Sequence, residues 1–256
     1  MSTYTAHPLV HGFPGKSSSH GAFGWSSIWL LQGDGRRILV DAGPPAYIPL
    51  IHAGLAELVL AADDITDVLV THLHWDHVSN FTMYPNATTW VGEDELAWAR
   101  TQPAGTQFMP DLHIQEIVRR GDAIGRMRPD QEVLPGITTV ASPGHTPGHL
   151  AFIADTADGH LIFAGDAVKN VQELHSLTVD SSMDLAASVR SVDRLRSQLV
   201  DSDGLLIPGH DVPLRADRTE VARVQPQRAR IGFFADARRG EADRSIADSD
   251  DTGTEV

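Results

Sequence analysis

The most informative segment of the chain reads Thr71-His72-Leu73-His74-Trp75-Asp76-His77. It places histidines and an aspartate directly after the apolar run Val68–Val70. Imidazole and carboxylate groups together suit a borderline divalent metal such as zinc. Four such side chains are hard to explain as core packing, because buried polar groups need partners. The cluster therefore predicts a metal site in a turn that follows a strand.

The composition is typical of a globular protein in one or two domains. The chain has 256 residues, of which 41% are hydrophobic and 21% are charged, so it is long enough to bury a full-sized core. No apolar stretch is long enough to span a membrane. The first residues lack the basic and apolar regions of a secretory signal. We therefore predict a cytoplasmic protein without a membrane partner.

Charge and cysteine content exclude several classes of function. The formal net charge is −14, from 20 basic and 34 acidic residues. This balance disfavours a large phosphate-tracking surface and hence a nucleic-acid partner. The chain contains no cysteine, which excludes disulfides, thiolate nucleophiles and cysteine-ligated zinc. A small-molecule substrate is the predicted partner.

Hydrophobic periodicity predicts a mixture of strands and helices without a regular βαβ alternation, which favours a layered mixed α/β domain. Residues 103–128 read as a less regular insertion near the site. We predict one domain over residues 1–238 and a disordered acidic tail over residues 239–256. The predicted strands are 27–31, 37–41, 67–71, 88–91, 137–141, 150–154, 161–164 and 205–207, and the predicted helices are 49–61, 93–100 and 184–198.

Three later turns each present a candidate ligand after a strand. Glycine and proline fix the backbone of such turns and leave the polar residue at the tip. The tips converge when the strands that carry them lie side by side. The three turns contain Gly144-His145, Gly165-Asp166 and Gly209-His210.

With these turns in order, the sequence resembles the metallo-β-lactamase fold superfamily of metal-dependent hydrolases, and within it the lactonase-like branch. The resemblance extends from about Ser27 to Asp211. It implies an α/β fold in the form of a four-layer αββα sandwich, with two mixed β-sheets flanked by helices. It rests on Val40-Asp41-Ala42-Gly43, His72-Leu73-His74-Trp75-Asp76-His77, Gly144-His145, Gly165-Asp166 and Gly209-His210.

The resemblance implies two divalent metal ions, with zinc expected and iron or manganese left open. Seven ligands are too many for one tetrahedral zinc and suit two ions. The resemblance gives His72, His74 and His145 to the first ion, gives Asp76, His77 and His210 to the second, and places Asp166 between them as a bridge.

The implied activity is that of a dinuclear metal-dependent hydrolase in which a bridging hydroxide attacks a carbonyl carbon. Asp76 is the predicted catalytic residue, because it would orient the hydroxide and pass its proton on. We expect the substrate to be a lactone or a related carboxylic ester. The alternatives are a β-lactamase-like amidase, a phosphoester hydrolase, a mononuclear iron sulfur dioxygenase and a non-catalytic binding protein. Lactonase-like relatives are often dimers, so a homodimer stays open.

Lys169 is a candidate substrate-binding residue. It lies three residues after Asp166, and the chain has only one other lysine, Lys16. In class B β-lactamases, a lysine three residues after the comparable ligand contacts the substrate carboxylate, whereas acyl-homoserine lactonases have a tyrosine at the similar position. A point cation there could bind a carboxylate or a developing oxyanion. The alternative is an ion pair with Glu173 or another nearby acid.

Two further features have more than one interpretation. Asp41 follows a strand and precedes Gly43, so it is either a turn-forming residue or a partner that supports a ligand histidine from behind. The Gly- and Ser-rich segment His11–Trp25 is either a surface loop anchored by its aromatic residues or a cover over the substrate.

Overall fold

The computed structural model describes residues 4–15, 25–157, 159–233 and 242–247. The first of two large sheets has six strands in the order β1 to β6. The first three strands pair antiparallel, and β3 to β6 run parallel to one another. The strands are β1 Thr5–Val10, β2 Ile28–Gly33, β3 Arg36–Val40, β4 Asp67–Leu69, β5 Thr88–Gly92 and β6 Ile124–Met127.

The second sheet has seven strands and is also mixed. Its spatial order runs from β13 down to β7. Only the pair β10 and β11 is parallel among its neighbours. The strands are β7 Glu132–Leu134, β8 Ile137–Ala141, β9 Leu150–Thr156, β10 Gly159–Gly165, β11 Leu205–Pro208, β12 Leu214–Ala216 and β13 Val221–Arg223.

Helices cover the outer face of each sheet. Buried residues of α1, α3 and α4 pack against the first sheet, and buried residues of α5 and α6 pack against the second. This arrangement confirms the predicted four-layer αββα sandwich. The helices are α1 Ile48–Glu57, α2 Trp75–Val78, α3 Glu93–Ala99, α4 Asp111–Arg120, α5 Val171–Ser176 and α6 Leu185–Ser202.

Alternation along single strands creates the layers, because successive side chains of a strand point to opposite faces. On β10, Leu161 and Phe163 enter the layer between the sheets, whereas Ile162 and Ala164 face the helices. Full burial of a side chain such as Phe163 stabilises the fold by about 1.5–3 kcal/mol. The stacked sheets bring the carboxyl ends of β4, β10 and β11 to one edge of the sandwich, where the candidate ligands lie.

The interpretation of residues 103–128 as an irregular insertion is wrong for most of the segment. Asp111–Arg120 is a helix that buries Ile114 and Ile117, and Ile124–Met127 is the edge strand of the first sheet. Only residues 103–110 form an irregular connection. The helix is amphipathic but only ten residues long, and the glycine, proline and methionine residues on both sides of it obscured its pattern in the sequence.

The predicted boundary at residue 238 stays a prediction. Within the predicted tail, strand β15 (Ala242–Ala247) pairs antiparallel with β14 (Arg228–Phe233). Residues 234–241 and 248–256 lie outside the described residues. Among the helices that the structure describes, none combines the length and the apolar character needed to cross a membrane.

Candidate metal centre

The ligand-bearing turns are held together by backbone hydrogen bonds, one between the two sheets and one within the second sheet. Leu150 donates to the carbonyl of Thr71 at 3.0 Å, which joins the motif loop to the loop of His145. Gly209 donates to the carbonyl of Gly165 at 2.9 Å, which joins the loops of Asp166 and His210. A Cβ on Gly209 would lie 2.1 Å from Oδ1 of Asp166. Only glycine at this position therefore leaves room for the carboxylate.

The first group of candidate ligands is His72, His74 and His145, all of which are buried. Nδ1 of His74 lies 3.1 Å from Nε2 of His72 and 2.9 Å from Nε2 of His145. Tetrahedral ligands at zinc–nitrogen distances of about 2.0 Å are roughly 3.3 Å apart. The three nitrogens therefore have nearly the spacing that one tetrahedral ion requires.

The second group is Asp76, His77 and His210. Oδ2 of Asp76 lies 3.7 Å from Nε2 of His77 and 3.5 Å from Nε2 of His210. This group is slightly wider than the first. It lies at the start of α2 and at the end of β11.

Asp166 lies between the two groups. Its Oδ2 is 3.3 Å from Nε2 of His145 in the first group. Its Oδ1 is 3.1 Å from Nε2 of His77 and 3.2 Å from Nε2 of His210 in the second. The structure thus brings together all seven side chains that the resemblance implied as ligands, with one carboxylate facing both groups.

The chemistry of these atoms fits bound divalent ions. Nε2 of His77 and Oδ1 of Asp166 are buried and make no hydrogen bond within the part of the chain that the structure describes. Buried polar atoms are rarely left in this state. Nitrogen and oxygen donors that converge on common points are the ligands that zinc and similar ions prefer.

The histidines of the first group favour the neutral form that metal binding requires. Burial lowers the pKa of His74 to about 3, and nearby His145 adds to this shift. Burial likewise lowers the pKa of His145 to about 4. It also holds the pKa of His72 well below its usual range, with neighbouring histidines contributing. Neutral imidazoles present lone pairs to a cation without first releasing a proton.

The second group has the opposite electrostatics because carboxylates surround it. Burial opposes a charge on His77, yet Asp166, Asp76 and Asp41 together raise its pKa well above the ordinary value. Burial also opposes a charge on His210, and Asp166 outweighs it to raise the pKa. Burial would raise the pKa of Asp166, but His210, His77 and His145 hold it well below the usual range. This half of the site attracts positive charge.

Asp41 contacts one candidate ligand directly and a second one through Thr71. His77 donates from Nδ1 to Oδ2 of Asp41 at 2.8 Å. Thr71 donates to the same carboxylate from its backbone and its hydroxyl, and the hydroxyl also lies 3.1 Å from Nδ1 of His72. These contacts leave Nε2 of both histidines free for a metal. Asp41 also has a φ of 60°, so it occupies a turn and contacts a candidate ligand at the same time.

Two more contacts orient ligands on the other side of the site. His145 donates from Nδ1 to the carbonyl of Ser181 at 2.8 Å. His149 accepts from the backbone N–H of Asp166 at 3.1 Å and contacts Ser142 Oγ through Nδ1. The supporting role of Ser181 was missed, because a carbonyl contact 36 residues away in the chain leaves no pattern in the sequence.

Glu95 is the side chain near the site that sequence reasoning missed. It lies in the first turn of α3 and is fully buried. Its Oε1 accepts from the backbone N–H of Leu73, and its Oε2 accepts from Thr146 Oγ1 and the N–H of Gly148. Burial raises its pKa to about 7, against the effect of these hydrogen bonds. The only signal in the sequence was an acidic residue at a helix start, which the helix dipole also explains.

Lys169 is buried beside the site and makes the ion pair with Glu173 that was the alternative to substrate binding. Its Nζ lies 2.8 Å from Oε1 of Glu173 and 3.9 Å from Oδ1 of Asp180. Its charge contributes to the lowered pKa of His145, so it is close to the first group. Contact with a substrate carboxylate stays a prediction.

One aromatic residue lies beside a candidate ligand, and two others contact each other within the predicted cover. Phe108, in the connection before α4, is partly exposed and its ring centroid lies 5.6 Å from that of His74. Phe13 and Trp25 contact each other at the two ends of the predicted cover, with ring centroids 4.7 Å apart. Residues 16–24 between them lie outside the described residues, so the cover stays a prediction.

The comparison with known families agrees with the fold and with the set of candidate ligands. The model of the metallo-beta-lactamase superfamily matches residues 23–210, which include both groups and Asp166. This chain belongs to the metallo-beta-lactamase superfamily. The predicted resemblance is therefore confirmed at the level of the family.

Individual relatives of this metallo-beta-lactamase superfamily chain are distant. Human metallo-beta-lactamase domain-containing protein 1 is 28% identical over 183 residues, which are 71% of this chain and 60% of that protein. An N-acyl homoserine lactonase of Bacillus thuringiensis is 25% identical over 168 residues, which are 64% of this chain and 62% of the lactonase. The chain thus spans about three fifths of the length of these relatives.

A solved structure gives the same fold. A Thermotoga maritima protein described as a metallo-beta-lactamase superposes with a TM-score of 0.69 at 24% identity. The superposition covers 84% of this chain and 100% of that protein. At this identity the likeness establishes the architecture, and the chemistry must be argued from the residues of the site.

Proposed function

We propose that this protein is a dinuclear metal-dependent hydrolase that opens a lactone or cleaves a related carboxylic ester. The observation that carries the proposal is the carboxylate of Asp166, which lies between two complete groups of metal-ligating side chains. The similarity to an N-acyl homoserine lactonase supports the ester or lactone class. Two ions with one shared carboxylate are typical of hydrolytic sites.

In this proposal each group of ligands holds one divalent ion, with zinc as the expected metal. Bound divalent ions supply Lewis acidity and lower the pKa of water, so that hydrolysis proceeds at neutral pH without a serine or cysteine nucleophile. His72, His74 and His145 form the first position, and Asp76, His77 and His210 form the second. Asp166 joins the two positions.

Asp76 is the proposed proton acceptor of the site. The exposed fraction of its side chain is 13%, compared with 6% for Asp166. Of these two carboxylates, that of Asp76 is therefore more accessible to a water or a substrate. A carboxylate at this position can orient an attacking water and pass its proton on to the leaving group.

Lys169 and Phe108 are the proposed substrate contacts. Glu173 fixes the ammonium of Lys169 beside the first group, where it can meet a carboxylate or a developing oxyanion. The exposed ring of Phe108 forms an apolar wall next to His74, which suits a neutral or apolar part of a small ester. We also propose that the protein works in the cytoplasm on small molecules.

The test combines metal analysis with a panel of substrates on one purified sample. The proposal expects about two zinc ions per chain and turnover of lactones or carboxylic esters. Asp166→Ala should lower the metal content and abolish turnover together, because the variant lacks the shared ligand. A matched control is Asp67→Asn, since Asp67 is a buried carboxylate paired with Arg36 on the same sheet.

Other outcomes identify the alternatives. About one iron ion per chain with activity on sulfur substrates would indicate a mononuclear dioxygenase instead. Turnover of lactams alone would indicate a β-lactamase-like amidase, and turnover of phosphoesters alone would indicate a phosphoester hydrolase. Full metal loading without activity on esters, lactones, lactams and phosphoesters would favour a binding protein. Asp166→Ala with unchanged metal and turnover would contradict the bridging role.

A further inference from the structure

Glu95 connects the two loops that carry the first group of ligands. Its carboxylate is fully buried. Oε1 accepts from the backbone N–H of Leu73 at 2.9 Å, and Oε2 accepts from Thr146 Oγ1 at 2.8 Å and from the N–H of Gly148 at 3.1 Å. All three donors are uncharged: two are backbone N–H groups and one is a hydroxyl. A single carboxylate thus accepts hydrogen bonds from both loops.

The donors lie in the two loops that carry the candidate ligands of the first group. Leu73 lies between His72 and His74, and Thr146 directly follows His145. The two loops are far apart in the sequence, and Glu95 is contributed by a third element, α3. We infer that Glu95 is a positioning residue for the first metal position, which holds both loops at the separation that one ion requires. This inference rests on the proposed metal-dependent function.

Close packing makes the contact specific. A Cβ on Gly148 would lie 2.0 Å from the backbone nitrogen of Glu95, so the loop of His145 lies directly on the first turn of α3. The separation between loop and helix is thus fixed by the backbone, and the side chain of Glu95 has little freedom to choose other partners. A substitution that changes the length or the acceptor atoms of the Glu95 side chain should therefore shift the ligand loops.

The chemistry of a carboxylate explains why the residue is glutamate. An ionised carboxylate has only acceptor sites on both oxygens, which matches three donors, whereas a glutamine amide replaces one oxygen by an N–H₂ donor. Burial of the group without partners would be costly, and burial raises its pKa to about 7. The hydrogen bonds to the loops are what offset this cost in the folded state.

The second group of ligands is supported by other contacts. His77 is oriented by Asp41, and the backbone of His210 donates to the carbonyl of Lys169 at 2.8 Å. Removal of the Glu95 carboxylate should therefore affect the two metal positions unequally. A general loss of stability would affect both positions to a similar extent.

The experiment measures zinc affinity at each position by competition with a chromophoric chelator. Full-length protein is stripped of metal, reloaded and compared as wild type, Glu95→Ala and Glu95→Gln. Each Glu95 variant is also made in a His145→Ala background, which removes the first position, and in a His210→Ala background, which removes the second. Asp67→Asn is the control for the loss of a buried carboxylate acceptor.

We expect Glu95→Ala to weaken the first position about 10- to 100-fold, as for other partners of ligand loops. Glu95→Gln should have a smaller effect of about 3- to 10-fold, because one acceptor oxygen remains. The loss should persist in the His210→Ala background and vanish in the His145→Ala background. Asp67→Asn should leave both affinities unchanged.

Unchanged affinity in both Glu95 variants would overturn the inference, as would equal losses at both positions or a similar loss in Asp67→Asn. Glu95→Gln keeps the test decisive if Glu95→Ala does not fold. Wild-type protein that binds no zinc would contradict the proposed function together with the inference. Wild-type binding with unaffected variants would contradict the inference alone.

Discussion

Nδ1 of His77 lies 2.8 Å from Oδ2 of Asp41, and both side chains are almost completely buried. Asp41 directly follows strand β3 and His77 belongs to α2, so this contact joins a candidate metal ligand to the end of that strand. The same carboxylate receives two hydrogen bonds from Thr71. One buried acidic group thus orients the motif loop at both of its ends.

Asp41→Asn should weaken metal binding and reduce stability. The amide presents an N–H₂ group to donors that previously met an oxygen, and an unsatisfied buried donor costs about 1–3 kcal/mol. We expect zinc affinity at the second position to fall by about 10-fold, which competition with a chelator measures. Asp67→Asn serves as the control, and equal metal affinity in wild type and Asp41→Asn would contradict the supporting role.

Removal of metal should lower the thermal stability reversibly. Ligands that bind only the folded state stabilise it by about 2.7 kcal/mol at 100 times their dissociation constant. For a chain of this length, that corresponds to a fall in Tm of roughly 5–10 °C on chelation. Differential scanning calorimetry with EDTA, followed by addition of zinc, measures the shift. A Tm that does not respond to EDTA or zinc would count against a resident metal.

The stability of the metal-free protein should depend on pH through Glu95. Burial raises its pKa from 4.5 to about 7 in the folded state. Between pH 4.5 and about 7, the carboxyl group is therefore ionised in the unfolded protein and still protonated in the folded protein. The free energy of unfolding therefore falls as the pH rises from 4.5 and becomes constant above about pH 7. The total decrease is on the order of 3 kcal/mol. Below pH 4.5 the group is protonated in both states, so it does not make stability depend on pH.

Glu95→Gln isolates this contribution because glutamine does not titrate. Urea denaturation at several pH values should show the wild-type free energy of unfolding falling relative to that of Glu95→Gln as pH rises from 4.5 to 7.5. Histidine titration is shared by both proteins and cancels in the difference. Curves that stay parallel over this range would show that burial does not perturb Glu95.

Lys169→Met in combination with Glu173→Gln separates the two roles of the lysine. The single Lys169→Met variant leaves Glu173 buried without its cation, so it should lose about 3–5 kcal/mol of stability. The double variant removes both charges and should recover much of that loss. In the double variant, KM should rise at least about tenfold for anionic substrates and less than about threefold for neutral esters. Equal changes for both substrates would refute carboxylate binding.

Much of the secondary structure followed from local patterns in the sequence. Strand β8 has the predicted bounds, and the strong amphipathic pattern of residues 184–198 marks α6, which extends to Ser202. The short strands β7, β12 and β13 and the helix α4 escaped prediction. The three strands are only three residues long and are stabilised by pairing with a sheet that is assembled from distant parts of the chain. The helix is amphipathic, but it is short and is flanked by glycine and proline.

The seven side chains that the structure brings together are visible in the sequence, and the resemblance to the family assigned them as ligands. Their spacing within one short motif and at three glycine turns is local information, and turn chemistry places such residues at the ends of strands. The tertiary structure decided how these side chains are supported. The contacts of Asp41 with His77, of Ser181 with His145 and of Glu95 with both ligand loops join segments that meet only when the two sheets stack. Hydrogen bonds between such distant segments depend on packing across the whole sandwich, which local periodicity does not encode.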